Sequence, residues 1–389
     1  MYAFFKEGYR DRALWTLVKS LVDTSDNGEV ESATQTATEG SQPPSRFDDF
    51  AEVLNPLFWM DEFNRADRLF EFACTLVRAA GLQDTGWDSY QESLTLLEDL
   101  KRLWSLELSR DVFPEPDHTR IRLYLISYCH VTEMNFPYEL MANLLRLRLG
   151  KKYAINPFEH LYLATKKKST TPSFLENRRP PSPEAKIKEI ERLSQEAGLP
   201  EVGRALRSVY DGVIRNAVYH SDYVLHNDSM RLLSAYRKSK RDNMMSKIIR
   251  FDELMAALND AFAFYSALLA SYNRARSSFT GFHHCMLPFD PFYKGLLELT
   301  FDGKQLTGFR AYWPNESMSV YARTKEGCTG QNLTFESDGS INFMVGLYAS
   351  HRGPFSPLVE HGAEPKYPAV PGTDVHPFWP TDLKPYRAY

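Results

Sequence analysis

The chain has 389 residues, 43% of them hydrophobic, with 46 Lys and Arg against 50 Asp and Glu for a net charge of −4. That length accommodates two domains, and that composition fills buried cores without staples. Four cysteines (Cys74, Cys129, Cys285, Cys328) lie far apart with no C-x-x-C spacing, which argues against a zinc site or a disulfide framework and fits a reducing cytoplasm.

Phe4 to Val22 has the apolar spacing of an amphipathic helix, but Lys6, Glu7, Arg10, Asp11 and Arg12 break any signal-peptide core. No run of about 18 apolar residues occurs, so no membrane span is expected. Residues 23–46 are rich in Ser, Thr, Gly, Glu and Pro and predict a disordered loop. Helical periodicity resumes over Asp48–Ala80, Trp87–Leu108 and Thr119–Leu149, the last interrupted near Asn135-Phe136-Pro137 because a proline ends or kinks a helix. Residues 150–182 form an exposed basic connection with Lys166, Lys167, Lys168, Arg178 and Arg179. Ser182-Pro183-Glu184 is an N-cap signature opening a helix to Glu196, and a further helix is predicted from Glu201 to about His220. A hairpin on Asn227-Asp228-Ser229 follows, then a long helix over Phe251–Arg276. Beyond Phe279, alternating segments at 297–301, 308–313, 319–322 and 341–345, with turn dipeptides Asp302-Gly303 and Asp338-Gly339, predict antiparallel strands before a Pro-rich tail from about Gly353.

Charge is unevenly distributed. Residues 23–116 hold 20 acidic against 7 basic side chains, and residues 146–250 hold 22 basic against 11 acidic. A basic block suits a phosphate-backbone ligand; a merely solvated surface has the same composition.

Inside that block lies Arg215-Asn216-Ala217-Val218-Tyr219-His220, and this stretch carries the one candidate chemistry. A second Arg-to-His spacing, Arg276 to His283, runs through Gly281 at a helix end and is set aside. The 215–220 stretch resembles the Arg-x4-6-His signature of the HEPN superfamily, helical bundles many of which are metal-independent ribonucleases. The resemblance spans roughly residues 85–280 and is specific between about 205 and 230. It implies a mainly α fold, a HEPN-like helical bundle with extra N-terminal helices, to which the sequence adds a C-terminal antiparallel β subdomain. The divisions are residues 1–84, 85–280 and 281–389.

The same resemblance implies an endoribonuclease in which Arg215 binds the scissile phosphate, His220 supplies acid or base, and Asn216 orients them. Lys166, Lys167, Lys168, Arg178 and Arg179 are the further phosphate-binding candidates. At about 100° per residue, Asn216 and His220 share a helical face, whereas Arg215 stands about 140° from His220. The family's homodimerisation through the motif helix would bring two such helices to one cleft. RNA, a second copy and a protein antitoxin or regulator are the implied partners, in bacterial defence or growth control. The alternative is a non-catalytic HEPN-like module binding a nucleotide, RNA or a protein. Structural roles compete with both: Arg215 could pair with Asp211, and His220 could cap the helix C-terminus. Family members that continue His-x-Tyr have that tyrosine modified, but here His220-Ser221-Asp222-Tyr223 is one residue longer. No cofactor and no metal is expected; His283-His284-Cys285 offers three ligand types, but adjacent side chains converge poorly on one ion.

Overall fold

A computed structural model of the protein describes residues 46–58, 68–79, 92–93, 95–100, 108, 110–164, 178–232, 247–282, 285–288, 296–312, 318–324, 327–335, 340–343 and 374–375. The expected helix at 4–22, the loop at 23–45, Lys166 to Lys168, the turn at Asp338-Gly339 and most of the Pro-rich tail lie outside these residues. The protein is helix-rich with a C-terminal antiparallel sheet, as the sequence predicts at that level. The described helix Phe251–Ser278 is long and apolar enough to cross a membrane, but most of it is buried within the protein, as core helices are.

The residues cluster into two compact units, one from Met1–Asn55, Ser89–Pro137 and Glu201–Ser271, the other from Pro56–Asp88, Tyr138–Pro200 and Tyr272–Tyr389. These interleave along the chain. Apolar faces choose packing partners by fit, without regard to chain proximity.

The first unit holds α1 (Phe47–Phe58, to Asn55), α3 (Pro116–Glu133), α6 (Pro200–Ser208), α7 (Gly212–Tyr219) and most of α8 (Phe251–Ser278). It also carries an antiparallel sheet in the order β3 (Tyr223–His226), β4 (Ser229–Leu232), β5 (Lys247–Arg250). The β3–β4 hairpin falls where predicted, and Asn227 takes φ 52° in its turn, a region Asn tolerates; β5 was not foreseen. His118 on α3 hydrogen-bonds Glu115 (2.9 Å) and the Asn227 carbonyl (3.2 Å), fastening the hairpin to α3. The core joins Ile121 and Leu125 of α3, Ile214 and Ala217 of α7, Met230 of β4, and Leu254, Leu258 and Phe262 of α8. Phe50 meets Phe264 edge-on at 5.5 Å.

The second unit holds α2 (Leu69–Val77), most of α4 (Asn135–Arg148) and α5 (Pro183–Glu196). The break between α3 and α4 falls at Met134, and Ser182 caps α5 by accepting from the Ala185 N–H, both as the sequence signals. A six-stranded sheet runs β10 (Gly327–Gln331), β9 (Met318–Thr324), β8 (Gln305–Tyr312), β7 (Leu296–Asp302), β6 (Cys285–Pro288), β13 (Asp374–Val375); only the β13–β6 pair is parallel. A separate pair joins β11 (Leu333–Phe335) to β12 (Ile341–Phe343).

All nine residues of α2 are buried, and Phe70 packs on Phe309 (5.2 Å) and Phe343 (5.0 Å). The carbonyls ending α2 accept from the sheet: Arg323 donates to Val77 (3.1 Å) and Arg78 (2.6 Å), and Tyr321 donates to Arg78. Gly308 is obligatory, since a Cβ there would lie 2.1 Å from the Tyr321 carbonyl on the next strand.

Candidate functional site

The helix expected over Glu201–His220 is two helices. α6 ends at Ser208 and α7 starts at Gly212, because Asp211 in extended backbone (φ −108°, ψ 100°) turns its carboxylate onto the Val213 and Ile214 N–H groups at 2.7 and 3.0 Å. The Tyr128 hydroxyl on α3 stitches the break, accepting from the Asp211 N–H (2.7 Å) and donating to the Val209 carbonyl (3.3 Å). Asp211 is thus engaged as the N-cap of α7, and the carboxylate that meets the Arg215 guanidinium is Glu133. Asp211→Ala is expected to cost about 0.5–2 kcal/mol, with Asp211→Ser recovering most of it; denaturant midpoints that do not move would refute the cap.

At the other end His220 is the C-cap. Its N–H reaches the Asn216 carbonyl (3.0 Å), while Ser221 (φ 53°) and Asp222 donate to the Val218 and Ala217 carbonyls at 3.1 and 2.8 Å. This double closure is a Schellman motif with Ser in the left-handed position.

Arg215 projects from α7 towards α3. Its Nε donates to Glu133 Oε1 at 2.7 Å and its Nη2 reaches the same oxygen, while Nη1 donates to Asn216 Oδ1 at 2.9 Å. The guanidinium also stacks on the Tyr219 ring, 4.4 Å from its centroid. Burial draws the Arg215 pKa down, but the hydrogen bond and charge of Glu133 more than offset it and hold the cation above its ordinary range. α7 packs against α3: Arg215 meets Glu133, and its carbonyl takes a weak hydrogen bond from the Cys129 thiol, one turn before Glu133 on α3, at 3.8 Å. Burial pushes that thiol up to about 12, with Arg215 opposing and Glu133 adding, so it is no nucleophile.

Asn216, Tyr219 and His220 are exposed. Asn216 accepts from Arg215 through Oδ1. His220 and Asn216 lie one turn apart, as the helical spacing predicts, but Arg215 is turned away into its own contacts. Glu133 and Tyr219 are the members that sequence reasoning missed. Tyr219 was within reach, because an aromatic four residues after an Arg stacks on it along a helix; Glu133, 82 residues distant, carried no local signal.

Lys166, Lys167 and Lys168 lie outside the described residues. Arg178 and Arg179 form β2, which pairs antiparallel with β1 (Leu163–Ala164) in the second unit, so part of the expected loop is a small ladder. Arg276 packs over Tyr272 and donates to the Leu306 carbonyl at 2.7 Å, a structural role. Cys285 belongs to β6, and His283 and His284 lie outside the described residues. Among the described residues no group of three or more His, Cys, Asp and Glu is placed to hold a metal ion.

No known protein family, curated protein or solved structure matches the chain.

Proposed function

We propose that this chain is a HEPN-like module that binds RNA through the α7 surface and pairs with a second copy along the same helix, in the cytoplasm. The observation that carries this reading is the fate of Arg215. The motif assigns it to a phosphate, yet its guanidinium is committed within the chain to Glu133, Asn216 and Tyr219. The motif therefore serves as a fixed support that presents Asn216, Tyr219 and His220 outward. A phosphate ligand of Arg215 would have to displace a carboxylate that is already charge-matched. The basic composition of residues 146–250 supports a polyanionic ligand. Val213 and Val224, 43% and 48% exposed on α7 and β3, support a protein contact there.

A metal-independent endoribonuclease, active in bacterial defence or growth control under a protein antitoxin or regulator, is the second reading. Exposure of His220 one turn from Asn216 favours it, since a general acid or base must reach the ligand it acts on.

One titration separates the readings. A short single-stranded RNA is expected to bind at low salt and to weaken as salt rises, each phosphate contact contributing about −0.7 to the log-log slope. No binding, or affinity indifferent to salt, overturns the RNA reading. Cleavage in EDTA that leaves 2',3'-cyclic phosphate ends and is lost in His220→Ala would replace the binding module by the enzyme.

A further inference from the structure

We infer that Tyr219 is a nucleobase-stacking platform, held in place by Arg215 and edged by the donors of Asn216. The inference rests on the RNA-binding reading above and adds the part of the ligand that this surface takes: the face of a base.

Among the described residues, Tyr219 is the one aromatic among the exposed large apolar side chains, at 53% exposure. An exposed aromatic on a short helix would ordinarily sample several rotamers. Here the Arg215 guanidinium lies over the ring at 4.4 Å, and that guanidinium is itself tied by three hydrogen bonds, two to Glu133 and one to Asn216. The ring is thus pre-oriented without being covered. Pre-orientation lowers the ordering cost that a flexible side chain incurs on binding. A cation against an aromatic ring that is half exposed is a stacking arrangement that a nucleobase can extend.

The flanking chemistry suits a base edge. Asn216 accepts from Arg215 through Oδ1, its Nδ2 group is chemically a donor, and both Asn216 and His220, one turn on, are exposed. Burial raises the Tyr219 phenol above its ordinary pKa, with Glu133 and Cys129 adding to it and Arg215 opposing, so the hydroxyl is a neutral donor at physiological pH. In this arrangement Arg215 and Glu133 are positioning residues, which accounts for a motif arginine whose charge is consumed inside the chain.

The test is binding of a short oligoadenylate RNA to the full chain and its Tyr219 variants. Tyr219→Ala is expected to weaken binding about 5- to 150-fold, the span reported for losing one base–aromatic stack. Tyr219→Phe and Tyr219→Trp should bind as the parent does, the added Trp emission being quenched on binding. Tyr219→Leu, which keeps apolar bulk without a π face, should behave like Ala and guards against an effect of lost volume. If the parent binds RNA and Tyr219→Ala binds equally, the platform is refuted while the RNA reading stands. If Tyr219→Ala turns a dimer into a monomer in sedimentation with RNA affinity unchanged, the ring belongs to a protein interface. If the parent binds no RNA at any salt, both proposals fall together.

Discussion

Arg215→Ala is expected to destabilise the protein by about 1.5–3 kcal/mol, the range for hydrogen bonds to charged groups. The side chains of Arg215 and Glu133 are only 24% and 29% exposed, so the pair is partly desolvated and its loss is poorly compensated by water. Removing the guanidinium takes from Glu133 the cation that pairs with it among the described residues and frees the Tyr219 ring. Glu133→Gln should cost less, because an amide oxygen can still accept from Nε. The Arg215→Ala/Glu133→Ala double variant should cost less than the two singles together, because each single already removes the shared interaction. Urea midpoints of the four proteins give that coupling directly. Unchanged stability in Arg215→Ala, with lost RNA cleavage, would return the residue to the phosphate-binding role that the motif implies.

Phe70→Ala is expected to cost about 3–5 kcal/mol, the largest effect of any change considered. Phe70 is fully buried at the junction of α2 with Phe309 and Phe343. Every other residue of α2 is buried as well, so no exposed face lets the helix shift to close the cavity. Phe70→Leu, which retains most of the volume, should cost less than half as much. A loss below about 1 kcal/mol for Phe70→Ala would mean that α2 is not packed on this sheet as described.

Much of the local structure was legible in the sequence, and the reasons are residue-specific. Ser182-Pro183 opened α5 because a hydroxyl N-cap and a ring-fixed φ act on neighbouring backbone alone. The break before Asn135-Phe136-Pro137 and the Asn227-Asp228 turn were likewise read from short-range backbone preference. The miss at Asp211 has the same origin: Asp followed by Gly is an N-cap signal, but the apolar stripe through Leu206, Val209, Val213 and Ala217 runs on at helical spacing and hid it. Tertiary contact decided that contest, because Tyr128 of α3 holds the backbone on both sides of the break.

The candidate site divides the same way. The sequence by itself determined a helical Arg-Asn pair and placed Asn216 and His220 on one face, because those relations depend only on helical pitch. It also determined a helix-rich chain with antiparallel strands behind it, because turn chemistry and alternation are local. What Arg215 does was decided by the tertiary structure, since the charge that engages it lies on α3, 82 residues away, and a chain of side-chain types carries no record of which carboxylate the fold will deliver to which cation. The grouping of the helices into two interleaved units was decided there too, because burial rewards whichever apolar faces fit together and is indifferent to their order along the chain.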